Sequence, residues 1–301
     1  EVPEVQLLEL HPVHHDLGRP AHRLGGDPGR AGAQLLQLLA GGLGEALGGA
    51  GDRALHLPDL ARKGRARLAD GVDVALQDLG HAGAVPWLHQ PWALLGGNSP
   101  QQFMKTYWHK KPLLVRGAIP AFELAKQMGK PIASPISAEE LFNRSGNDVV
   151  ESRLIQANPW SFSDGPFKKK SIPSLESPDW TLLLQGMEAR HPAAATILSW
   201  FRFIPDARLD DLMISIAGPG GGVGPHFDSY DVFLIQMSGR RRWRISEQKD
   251  LSLSPDLPLK ILKHFQVEQE WDLEPGDMLY LPPHVAHDGI ALDAGCQTWS
   301  V

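Results

Sequence analysis

The chain has 301 residues, of which 42% are hydrophobic and 21% charged, with a net charge of −6. This length and balance suit one large folded domain or two ordinary ones, and exclude a fibre or a wholly disordered chain. The acidic excess gives no general nucleic-acid footprint, so no direct DNA binding is expected. No run of about 18 apolar residues predicts a membrane helix. The opening Glu1-Val2-Pro3-Glu4 has neither the basic start nor the apolar centre of a signal peptide. Cys296 is the only cysteine, which excludes a disulfide framework and a cysteine zinc cluster. A reducing, cytoplasmic setting is expected, and any metal must be held by His, Asp or Glu.

Residues 1–90 differ from the rest. They contain no Ser, Thr, Asn, Phe, Ile, Met, Tyr or Cys, yet hold seven of the 13 histidines. A core without Phe, Ile or Met is hard to pack. Gly41, Gly42, Gly44, Gly48 and Gly49 interrupt the one helix-like stretch, residues 33–40. Two readings stay open: a poorly ordered natural extension, or sequence outside the native coding frame. His11, His14, His15 and His22 have no rigid scaffold around them that would make them a metal site.

From Pro91 onward the composition is ordinary. Ser99 is a cap for a short helix through Gln102, Phe103 and Tyr107, with Pro100 at its first position. Residues 112–115 read as a strand. Ser137 before Ala138-Glu139-Glu140 has the capping-box pattern of a second helix, and residues 193–203 form an apolar third. Strands follow near 212–217, 226–237, 240–246, 277–281, 286–292 and 296–301, with glycines at the turns between them. Helices first and short strands afterwards predict an α+β chain ending in a barrel or jelly roll.

The chemistry concentrates in Gly224-Pro225-His226-Phe227-Asp228-Ser229-Tyr230. In a strand, His226 and Asp228 share a face. A third ligand comes from Pro282-Pro283-His284-Val285-Ala286-His287. His287 is preferred because it enters the next strand, whereas His284 follows the prolines at a turn. Two histidines and one carboxylate make the facial triad of non-haem iron(II) sites, which leaves positions open for substrate and oxygen. The plainer alternative is that His226 caps the glycine loop and Asp228 sits in a turn.

Arg240-Arg241-Arg242-Trp243-Arg244-Ile245 adds a second signal. Alternation places Arg241, Trp243 and Ile245 on one face, and the two apolar residues mark it as inward. A buried guanidinium needs an anion, and its fork suits a carboxylate. A dicarboxylate cosubstrate meets that need; an internal Asp or Glu, or a solvated basic edge, are the competing readings. The loop Gly218-Pro219-Gly220-Gly221-Gly222-Val223-Gly224 lacks the ending of a phosphate-binding loop and precedes a strand, so it is read as backbone bending. Lys168-Lys169-Lys170 is read as solvated surface that could touch an RNA-rich partner, and Cys296 as a small core residue.

With these motifs in view, residues 91–301 resemble the JmjC-type bacterial ribosomal oxygenases that hydroxylate an arginine of a large-subunit ribosomal protein. The resemblance runs through residues 107–112, 210–215, 219–226, 230–233, 239–244, 273–277 and 282–289. It implies a double-stranded β-helix of the cupin type preceded by helices, acting as the catalytic domain. It implies Fe(II) held by His226, Asp228 and His287, and 2-oxoglutarate held by Arg241. The implied reaction couples decarboxylation of 2-oxoglutarate, with O2, to hydroxylation of an unactivated carbon of a ribosomal protein. The family continues past the barrel with dimerisation helices and a winged-helix-like part that residues up to Val301 lack; full-length members are expected to be homodimers. Residues 1–90 have no counterpart. A JmjC hydroxylase of a ribosomal histidine or another protein, and a non-catalytic metal-binding cupin module, are the alternatives.

Overall fold

The computed structural model describes residues 86–301, so the expectation for residues 1–90 falls almost wholly outside the described residues. The helical part holds α1 (Pro100–Thr106), α2 (Pro120–Gln127), α3 (Ala138–Ser145) and α4 (Pro192–Ser199). The hydroxyl of Ser99 accepts from the Gln102 amide, and the Gln102 side chain accepts from the Ser99 amide, closing a capping box at α1. Ser137 caps α3 in the same way through the Glu140 amide, but the Glu140 carboxylate turns to Arg144 one turn on instead of reaching back. The apolar stretch expected to be helical over 193–203 stops at Ser199. Trp200, Phe201 and Ile204 then bond three residues back as the chain tightens before Pro205.

The strands are β1 (Leu113–Val115), β2 (Ser152–Gln156), β3 (Ser161–Asp164), β4 (Trp180–Leu184), β5 (Met213–Ala217), β6 (Val232–Ser238), β7 (Arg241–Ser246), β8 (Gln269–Leu273), β9 (Met278–Leu281), β10 (Ala286–Ala291) and β11 (Cys296–Ser300). They form an antiparallel large sheet, ordered β1-β9-β6-β11-β5-β4-β2-β3, and a small one, ordered β10-β7-β8. No helix of the described residues is long and apolar enough to cross a membrane.

Alternation divides the core. On β6, Phe233, Ile235 and Met237 face the helices, and on β9 Met278 and Tyr280 do the same. Val232 and Leu234, with Leu279 and Leu281, face the other way. There they meet Trp243, Ile245 and Leu273 of the small sheet. The large sheet is thus covered on both sides, by helices outside and by the small sheet inside, which is why β6 and β9 read as nearly continuous apolar runs. The space between the sheets is the barrel interior.

The strand expected over 226–237 is shorter than its pattern suggests. Only Val232–Ser238 joins the large sheet, while His226 makes a single bridge to His287 of the small sheet. One straight strand cannot pair with both sheets, so residues 227–231 cross between them. The β2, β3, β4 and β8 strands were not expected; β3 and β8 are largely exposed and lack an apolar period.

The glycine loop stitches the crossing to β10. The Gly220 amide donates to the Ala291 carbonyl, and the Ala291 amide donates to the Gly221 carbonyl, both at 2.8 Å. A Cβ on Gly222 would lie 2.5 Å from the Gly289 carbonyl oxygen, a backbone atom that cannot move aside alone. Gly222→Ala should therefore lower stability by about 1–3 kcal/mol through overpacking. Ser99→Ala should lower it by about 1 kcal/mol through loss of the cap. Urea unfolding measures both, and an unchanged midpoint for either variant would contradict its assigned contact.

Candidate metal centre

His226 and His287 are held together by their own backbones. The His226 amide donates to the His287 carbonyl at 2.9 Å, and the His287 amide donates to the His226 carbonyl at 2.7 Å. This reciprocal pair brings the two imidazoles to 4.2 Å between ring centroids. Asp228 is anchored two residues on, where its carbonyl accepts from the His284 amide at 2.7 Å. Its Oδ2 lies 3.6 Å from His287 Nε2. One ligand atom from each of His226, Asp228 and His287 falls within 4.8 Å of the others.

The unused ring nitrogens define the chemistry. His226 Nδ1 lies 2.8 Å from the Gly224 carbonyl, and His287 Nδ1 lies 2.9 Å from the Val285 carbonyl. A carbonyl can only accept, so in each neutral ring Nδ1 carries the proton and Nε2 keeps its lone pair. Such second bonds also orient a ligating imidazole. His287 is buried. Burial, and then the neighbouring His226, push its pKa down to about 4, against a weaker opposing pull from Asp228. The ring is therefore neutral near pH 7, as a metal ligand must be. Two imidazole nitrogens and one carboxylate this close together fit an iron(II)-type facial triad. His284 lies elsewhere: its ring sits 5.9 Å from Phe227, and its backbone is left-handed at φ 66°.

The second half of the site is on β7. Arg241, Trp243 and Ile245 are buried, while Arg242 and Arg244 are half-buried and Arg240 is exposed. Each outward arginine has a carboxylate: Arg240 pairs with Asp293, Arg242 with Asp272 and Arg244 with Asp288. Arg241 pairs with no carboxylate among the described residues. Its Nη1 donates to the Gly289 carbonyl at 3.1 Å, and its Nε and Nη2 are buried without partners. A buried charge left in this state is costly unless an anion meets it, so the chemistry of the donor set fits a carboxylate.

The inner face of the small sheet has three rungs. Ile245 stands opposite His287, Trp243 opposite Gly289, and Arg241 opposite Ala291. Trp243 lies between the ends: its ring is 5.9 Å from the His287 ring and 5.9 Å from the Arg241 guanidinium carbon. Gly289 makes room for it, since a Cβ there would meet the indole at 2.7 Å. Sequence reasoning used Trp243 only to mark the inward face and gave Gly289 no role. Their cross-strand pairing needs the register of β7 on β10, which no local pattern reveals.

Residues 196–301 match the JmjC domain family. The chain is 40% identical over 194 residues to the ribosomal protein uL16 3-hydroxylase of Escherichia coli (strain K12), covering 64% of this chain and 49% of that protein. It is 32% identical over 208 residues to a probable ribosomal oxygenase of Haemophilus influenzae, covering 67% and 48%. Among solved structures, E. coli ycfD superposes with a TM-score of 0.58 at 37% identity, over 69% of this chain and 53% of that one. The E. coli ribosomal oxygenase YcfD in complex with cobalt and 2-oxoglutarate gives 0.57 at 37% identity, over 69% and 51%. The chain spans about half the length of these relatives. The fold is the JmjC/cupin double-stranded β-helix in an α+β setting. With this architecture, residues 196–301 are similar to the JmjC domain family, and the chain is similar to the bacterial ribosomal oxygenases.

Proposed function

We propose that this chain is an Fe(II)- and 2-oxoglutarate-dependent oxygenase that hydroxylates a ribosomal protein side chain, an arginine of a large-subunit protein such as uL16. The observation that carries the reading is the guanidinium of Arg241, buried with no carboxylate partner and with Nε and Nη2 unsatisfied, on the same sheet face as His287. A purely structural cupin has no use for such a charge. The relatives' printed names, and the E. coli structure holding cobalt and 2-oxoglutarate, support the same choice. A ribosomal protein substrate implies a cytoplasmic site of action.

In this reading the Nε2 atoms of His226 and His287 and the carboxylate of Asp228 hold the metal. Arg241 would hold the far carboxylate of 2-oxoglutarate through its unsatisfied Nε and Nη2. When bound, the iron and its cosubstrate supply the activation of O2 that a C–H hydroxylation requires. The protein's own contribution is placement. His287 stays neutral, and the carbonyls of Gly224 and Val285 orient the two rings. The apolar lining of Val232, Leu234, Leu279 and Leu281 reduces access of bulk water.

His226→Ala and Asp228→Ala should each abolish iron retention and 2-oxoglutarate-dependent succinate release. Arg241→Ala should instead raise the 2-oxoglutarate requirement at least tenfold, the loss expected of a charge-assisted pair, with metal binding kept. Unchanged turnover in any of the three would refute its assignment. Incubation with ribosomal proteins, iron(II), ascorbate and 2-oxoglutarate should add the mass of one oxygen atom to an arginine-containing peptide. Mass spectrometry that places the added oxygen on a histidine, or finds none, would replace the proposed substrate.

A further inference from the structure

Arg241 is not the only residue on the inward face of β7 that carries a buried, unsatisfied donor. The indole Nε1 of Trp243 is also buried and has no hydrogen-bond partner. Buried tryptophan N–H groups ordinarily find an acceptor. Here the ring leans over the side-chain-free Gly289, on the rung between Arg241 and His287. It thus stands beside the path that any molecule must take to touch both the metal ligands and the guanidinium. An acceptor that satisfies Arg241 Nε and Nη2 brings oxygen atoms to the same stretch of the small sheet. We infer that Trp243 is a second cosubstrate-binding residue, whose indole N–H donates to the far carboxylate of the 2-oxo acid alongside Arg241. The inference rests on the reading of the site as a 2-oxoglutarate centre. It gives Trp243 a role in selecting a dicarboxylate over a 2-oxo acid that lacks the second carboxylate.

The test is calorimetric titration of the cobalt(II)-loaded chain without oxygen. One arm uses 2-oxoglutarate, and the other uses 2-oxobutyrate, which keeps the 2-oxo acid and lacks the far carboxylate. Trp243→Phe removes the N–H and keeps an aromatic wall. It should weaken 2-oxoglutarate binding about tenfold, as expected for a hydrogen bond to a charged group, and leave 2-oxobutyrate unchanged. Equal weakening of both ligands would mean that the indole acts only by packing; no weakening of either would mean that it makes no bond. Either result overturns the inference. If the unsubstituted chain takes up no 2-oxoglutarate, the reading of the whole site falls instead, and this inference with it. Should Trp243→Phe not fold, the unsubstituted zinc(II)-loaded chain, labelled with 15N in its nine indoles, serves as well. One indole N–H resonance should move with 2-oxoglutarate and stay put with 2-oxobutyrate. A spectrum in which no indole signal responds overturns the proposal.

Discussion

The reciprocal backbone bridge between His226 and His287 is the contact on which the candidate site depends. It is not part of a continuous ladder: residues 227–231 leave the small sheet at once to reach β6 in the large one. The bridge therefore decides where the crossing begins and which way the first imidazole points. The glycine loop reinforces it through the Gly220, Gly221 and Ala291 bonds. The close approach of Gly222 to Gly289 shows how little room the join allows. A site assembled at the seam of two sheets is rigid because both flanking ladders resist its movement.

Electrostatics on β7 separates structure from ligand recognition. The outward arginines are matched one for one with Asp293, Asp272 and Asp288, as a half-exposed charged face commonly is. The Arg240 and Arg242 pairs are partly solvated and contribute little each to stability, whereas the Asp288 carboxylate opposite Arg244 is buried. The inward arginine has no such match, and the cost of holding it unpaired in the barrel is one that folding alone would not select. The unpartnered indole of Trp243 beside it follows the same logic. In the proposed reading both serve as donors to the cosubstrate where solvent is largely excluded, which is where a hydrogen bond to a charged ligand counts most.

Local rules were legible where one short segment decides the outcome. Ser99 with Gln102 specifies its cap, and the alternation of Arg241, Trp243 and Ile245 specifies the inward face of β7. The strand expected through 226–231 shows the limit. His226 and Asp228 do converge, but through a bridge and a crossing segment rather than the alternation of a paired strand. Likewise β3 and β8 are edge strands, whose ladder hydrogen bonds stabilise them without the apolar period that would announce them.

The sequence by itself determined the residue types available to a metal, the facing of Arg241 and the α+β class, though not the order of its elements, since β1 to β4 are interleaved with the helices. All of these follow from periodicity and composition within a few neighbouring residues. The strand pattern already favoured His287 over His284, but only the tertiary structure brought its ring within reach of the 226/228 pair. It alone decided that Trp243 lies between the two ends of the site, and that Arg241 lacks a carboxylate while its neighbours each have one. Those outcomes depend on strand register and on which sheet each segment joins. Both are set by contacts between residues far apart in the chain, which local pattern does not encode.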